Sequence, residues 1–246
     1  MRPVVELAGR TAVLLPGTGS DEVFVRSVFE EPFAQVGVHV VAPATARVDE
    51  HLAVLDAAWR GEPLVVGGIS LGAHVAAEWA VRHPSRCAGL VVALPAWHGP
   101  ATGAPAALAA TASASVVEQS GVAAALAGTS GWLAAELARA WGRHVELPAT
   151  LRAAATSAAP TLAELAGLDV PTGVAGCADD PVHPLQVAQE WTAALPRAVL
   201  RTTTLAALGE DRESLGRAAV LALLRALTCP QAGGLSTDPE IVPRPT

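Results

Sequence analysis

Gly68-Ile69-Ser70-Leu71-Gly72 sets a serine between two glycines, G-x-S-x-G, where an apolar run meets a helix-like segment. A serine hydroxyl in such a turn can attack an electrophilic carbon. Small neighbours let the chain reverse sharply and lift the hydroxyl clear, and the start of the next helix favours developing negative charge. The bare pattern is weak: glycine is 22 of 246 residues, so chance would produce it in about one such chain in ten. Its surroundings strengthen it. Pro63-Leu64-Val65-Val66 is a short apolar run of buried-strand type, and Ala73 to Arg82 carries apolar residues at helical spacing. Ser70 is therefore read as a nucleophile on a strand-to-helix turn.

This turn resembles the nucleophile elbow of the α/β-hydrolases, and the resemblance covers most of the chain. Residues 11 to 19 (TAVLLPGTG) resemble the family's early strand and oxyanion loop, with Pro16-Gly17 where His-Gly is common. Residues 170 to 184 (VPTGVAGCADDPVHP) resemble the late strand and loop that carry the acidic triad member. The resemblance implies an oxyanion hole from the backbone N–H of Leu71 and of Thr18 or Gly19, donors fixed before charge develops. It also implies an acid at Asp180, directly before Pro181-Val182, or at Asp179, which has the more usual spacing from Gly176. Either aspartate could instead cap the helix that begins near Pro184. The Gly17-Thr18-Gly19 turn lacks the third glycine of G-x-G-x-x-G and the lysine of a P-loop, which argues against nucleotide binding.

The histidine is where this chain departs from the family pattern. Between the last strand and the final helix the sequence reads Leu205-Ala206-Ala207-Leu208-Gly209-Glu210, and no histidine follows His183. The triad expected from the resemblance is thus incomplete, and a serine without a base is a poor nucleophile. Three side chains are candidates to replace it. His98 follows the strand that should neighbour the nucleophile strand, and is the first choice. His183 lies three residues past Asp180 but one strand further away. Glu210 stands where Gly-His is expected, although a carboxylate is a weak base unless burial raises its pKa. His144 falls in an inserted segment, and His39, His51, His74 and His83 read as structural.

These residues need a scaffold, and hydrophobic periodicity supplies an α/β one. Strands are expected at 11–15, 38–42, 64–67, 90–94, 173–176 and 199–204. Helices are expected at 21–35, 48–60, 71–83, 184–194 and 212–227. Alternation of this kind gives a mainly parallel sheet covered by helices on both faces. Residues 1–94 and 169–229 are read as this core. Residues 95–168 are Ala-rich and punctuated by Gly103, Gly121, Gly131, Gly142 and Pro160; they are read as a helical cap, because a structureless loop that long is improbable. The Pro- and Gly-rich stretch 230–246 is read as a disordered tail.

Composition bounds the function. A net charge of −7 without a basic run offers nucleic acid no electrostatic footprint. Although 51% of residues are apolar, no run approaches the ~18 residues of a spanning helix, so a cytoplasmic protein without membrane association is expected. Cys87, Cys177 and Cys229 are too dispersed for a disulfide framework or metal cluster, and no metal or cofactor is implied. Six tryptophans accompany no tyrosine. Trp97, Trp132 and Trp141 belong to the cap and its entrance; with Gly17 they are candidates to line an apolar pocket, or else to pin the cap to the sheet. The preferred reading is a serine hydrolase of an apolar ester, thioester or lactone. The alternatives are a non-hydrolytic enzyme of this fold (a cyclase, lyase or isomerase of a secondary metabolite) and a catalytically silent binding protein.

Overall fold

Strand residues of alternating face organise the molecule, whose computed structural model describes residues 6 to 228. The strands are β1 (Thr11–Leu15), β2 (His39–Val41), β3 (Leu64–Ile69), β4 (Cys87–Ala93), β5 (Thr172–Cys177) and β6 (Ala198–Thr203). They form one sheet in the order β2-β1-β3-β4-β5-β6, and every pairing is parallel. This is the α/β-hydrolase-like architecture expected from the sequence.

Period-two alternation divides the core into two layers. Val13, Leu15, Val66, Leu90, Val92 and Val174 face α2 (Val48–Ala58), α3 (Leu71–Arg82) and α8 (Leu185–Ala194). Ala12, Leu14, Val65, Val91, Ala93 and Ala175 face α1 (Glu22–Ala34) and α10 (Glu213–Thr228). Both faces are covered, which is why these strands read as continuous apolar runs.

Between β4 and β5 the described chain forms α4 (Pro105–Ala125), α5 (Gly131–Trp141), α6 (Leu147–Ala155) and α7 (Leu162–Ala166), with no strand. Gly121, at φ 82° and ψ 172°, interrupts α4. Ala114, Ala140, Trp141, Leu147 and Leu151 give this insertion an apolar cluster of its own. Two of its polar ties to the core lie on α5. Arg139 on α5 grips Asp21, the N-cap of α1, through two bonds of 2.7 Å. Trp132 on α5 donates to the Leu205 carbonyl at 3.2 Å, with the Arg212 guanidinium stacked 4.1 Å over its ring. Burial pushes the Asp21 carboxyl up, but Arg139 and the amides of Phe24 and Val23 outweigh it and hold the group below its usual range. The tail expected at 230–246 lies outside the described residues.

Candidate active site

Ser70 sits between β3 and α3 with φ 52° and ψ −115°. A non-glycine residue held there carries strain of order 1–3 kcal/mol, which the surrounding structure must impose. Its own N–H donates to Ala93 O of β4 at 2.9 Å, and its carbonyl accepts the first helical bond, from His74 N at 3.1 Å. The flanking glycines are required by contact. A Cβ at Gly68 would lie 2.7 Å from the Gly72 carbonyl carbon and closer still to Leu15 O, and a Cβ at Gly72 would collide with the same Leu15 carbonyl. The elbow is therefore wedged against β1, and only hydrogen fits at either position.

The same closeness brings the Gly17 loop to Ser70. A Cβ at Gly17 would be 3.4 Å from Ser70 Cβ, so Thr18 and Gly19 follow directly along the wall of the cavity above Ser70. Leu71 opens α3, where first-turn N–H groups have no intrahelical acceptor. Leu71 thus adjoins Ser70 at the start of α3, and Thr18 lies on the cavity wall.

His183 is the hydrogen-bond partner of this serine. Its Nε2 lies 3.0 Å from Ser70 Oγ, and its Nδ1 lies 2.9 Å from Asp180 Oδ2. Asp180 also accepts the backbone N–H of Val182 at 2.8 Å and of His183 at 3.1 Å through its other oxygen. Those two bonds fold the loop after β5 back on itself, which lets His183 span the end of β4 and reach the β3 turn. Burial pushes the Asp180 carboxyl up, but bonds from the His183 ring and from the two amides outweigh it and keep the group below the usual carboxylate range. The side chains of His183 and Asp180 are 17% and 6% exposed. Ser70, His183 and Asp180 therefore form an unbroken hydrogen-bonded series, correcting the expectation of an incomplete triad.

The first-choice base, His98, is elsewhere. Trp97 turns inward, with its ring 4.7 Å from that of His74 and its carbonyl accepting Trp191 Nε1–H at 3.1 Å. The next side chain is directed outward, and His98 Nε2 pairs with Glu190 of α8 at 3.2 Å. Glu210 is exposed at the end of α9 (Leu205–Glu210) and is not part of the cavity wall. Asp179 accepts the Leu205 N–H at 2.6 Å, so it ties the β5 and β6 loops together instead of orienting the base. His144 lies 3.5 Å from Ser20 O. The spacing Asp-x-x-His between prolines was the available signal for His183: an aspartate accepting amides two and three residues on bends the chain sharply.

Above Ser70 is a cavity of about 300 Å³. Gly17, Trp97, Trp132 and Trp141 all line it, together with alanines of α4 and α6 and leucines of α5. The indole nitrogens of Trp97 and Trp141 are buried without a hydrogen-bond partner. Below the elbow, His74 stacks on Trp191 (5.6 Å between centroids) and accepts the Ala96 N–H at 3.0 Å through Nε2, so its proton is on Nδ1. Burial lowers its pKa to about 3. Among the described residues no cluster could hold a metal ion, and no helix is long and apolar enough to cross a membrane.

A parallel sheet, a strained serine at a strand-to-helix turn and a Ser–His–Asp series define an α/β-hydrolase. Residues 35–207 match the model of the serine aminopeptidase S33 hydrolases, and the chain belongs to that family. No curated protein matches the sequence. Among solved structures, a thermophilic esterase from Thermogutta terrifontis is similar, at 15% identity over 90% of this chain and 92% of that one (TM-score 0.68). MenH from S. aureus is 16% identical over 89% and 95% of the two chains (TM-score 0.68). The enol-lactonase from Burkholderia xenovorans LB400 is 16% identical over 87% and 91% (TM-score 0.66). At such identities these likenesses concern the fold.

Proposed function

We propose that this protein is a serine hydrolase of a small apolar acyl compound, an ester, thioester or lactone. The observation that carries the reading is the 3.0 Å contact between His183 Nε2 and Ser70 Oγ, with Asp180 on the far side of the ring. His183 accepts the Ser70 proton as Oγ attacks the acyl carbon, and Asp180 holds the ring in the tautomer that leaves Nε2 free to do so. The Leu71 and Thr18 amides receive the negative oxygen of the tetrahedral intermediate. The imidazolium then protonates the leaving group, and water, deprotonated by the same ring, releases the acyl group from Ser70. The largely apolar cavity suits an uncharged acyl part. An esterase and an enol-lactonase stand among the structural relatives.

The preference for hydrolysis over the non-hydrolytic alternative is supported by His183 beside Ser70 and by the position of Glu210 outside the cavity wall. The test is labelling with a fluorophosphonate. Wild-type protein is expected to be modified at Ser70 and to release p-nitrophenol from short acyl esters with a burst. Ser70→Ala should lose both; full turnover in that variant would reject the hydrolase reading.

A further inference from the structure

Trp141 closes the helix that carries Arg139, and its indole meets the oxyanion loop. A Cβ at Gly19 would lie 2.6 Å from Trp141 Nε1, so the ring nitrogen rests directly against that residue. The side chain is 7% exposed and its N–H has no partner in the folded chain. A buried donor left unsatisfied is costly, and native proteins seldom keep one without a reason. Both Trp141 and Gly19 line the cavity above Ser70. Trp97 shares the unpartnered nitrogen, but its ring is accounted for by packing on His74. The Trp141 nitrogen is instead turned onto Gly19 at the cavity wall.

We infer that the Trp141 N–H is the docking donor for a second oxygen of the substrate, one close to the reacting carbonyl. This rests on the reading of the cavity as the acyl pocket of Ser70. Gly19 is two residues beyond Gly17, which abuts Ser70, and two residues span at most ~7 Å. The acceptor therefore lies within a few bonds of the carbon under attack. No lysine or arginine is among the described residues of the cavity wall, and the carboxylate of Glu136 there is already paired with Arg139. A neutral oxygen fits this environment better than a carboxylate. The substrate class is thus an acyl compound bearing a neutral oxygen near its carbonyl, such as a 3-oxoacyl group, with an alkyl remainder against the alanines and leucines of the cap. Trp141 is accordingly a specificity-determining residue contributed by the insertion.

Calorimetric binding to Ser70→Ala protein tests this with a matched pair, methyl hexanoate and methyl 3-oxohexanoate. The 3-oxo ligand is expected to bind about five- to tenfold more tightly, the range of one net hydrogen bond. Adding Trp141→Phe should erase that preference, bringing the ratio of the two affinities to about one. Replacing Trp141 by benzothienylalanine, which keeps the shape and lacks the N–H, should do the same and covers a phenylalanine variant that folds poorly. A preference that is absent, that survives loss of the N–H, or that falls equally for both ligands overturns the assignment. The readout needs no turnover. A preference that depends on Trp141, beside wild-type protein that neither takes the fluorophosphonate nor turns over esters, would support the donor while sinking the hydrolase reading; wild-type esterase activity without the preference would do the reverse.

Discussion

Asp180 grips His183 at two points: one carboxylate oxygen accepts its backbone N–H at 3.1 Å, and the other lies 2.9 Å from its ring. A single side chain thus sets both where the histidine is and which nitrogen carries its proton. Asp180→Asn should lower kcat by about 10² to 10⁴, because an amide can present its NH₂ to Nδ1 and favour the wrong tautomer. Asp179→Ala should instead cost about 1 kcal/mol of stability through the lost Leu205 bond and change kcat by less than threefold. Steady-state kinetics beside denaturant melts separate the two.

Removing the base is the complementary experiment. His183→Ala should reduce kcat/KM by about 10² to 10⁴. His98→Ala, which removes a half-exposed pair with Glu190, and Glu210→Gln should remain within threefold of wild type. A large loss in His98→Ala with His183→Ala unaffected would reverse the assignment made from the geometry.

The elbow glycines make a structural prediction. Gly72→Ala drives a methyl into the Leu15 carbonyl, which β1 cannot yield without breaking its pairing with β3. Expression of insoluble protein, or a loss above about 3 kcal/mol in denaturant melts, is expected for a clash of this kind. A stable and active Gly72→Ala protein would mean that the turn tolerates a wider approach.

Stability should fall on the acid side for reasons apart from catalysis. His74 has its pKa lowered by burial to about 3, against an ordinary 6.5, and burial likewise lowers His51 to about 4. Between those values the unfolded chain binds protons that the native state refuses. Stability is therefore full above about pH 6.5 and declines as pH falls toward 4. His74→Gln keeps an acceptor for the Ala96 amide and removes one titration. The slope of unfolding free energy between pH 6 and 4 should then shrink by about 1.4 kcal/mol per pH unit. An unchanged slope would show that His74 is protonated in the native protein.

Much of this was legible in the sequence. Ser70 and its elbow could be read because two glycines and an apolar run have few other uses together, and the four central strands because each is buried on both faces. The helical insertion announced itself through alanine content and glycine breaks. The base did not. Strand order suggested His98, because β4 adjoins β3, but adjacency says nothing of direction, and the inward turn of Trp97 decided it. His183 required knowing how far a loop reaches over a strand end, a distance set by two amide bonds to Asp180. The sequence marks Trp141 as a candidate pocket residue, but the nearness of its nitrogen to Gly19 is a product of tertiary packing.

Because the histidine comes from the loop after β5, the hydrogen-bonded series of Ser70, His183 and Asp180 is complete by residue 183. The segment 198–228, which forms β6, α9 and α10, supplies none of it, although α10 packs one face of the sheet against β5 and β6. A cut in the turn at 195–197 would therefore divide the molecule into a piece that owns Ser70, His183 and Asp180 and a piece that adds packing and the Leu205 and Leu208 side of the cavity. Substrate turnover would then report the reunion of the two fragments, making this chain a natural candidate for a split reporter whose switchable half carries no chemistry.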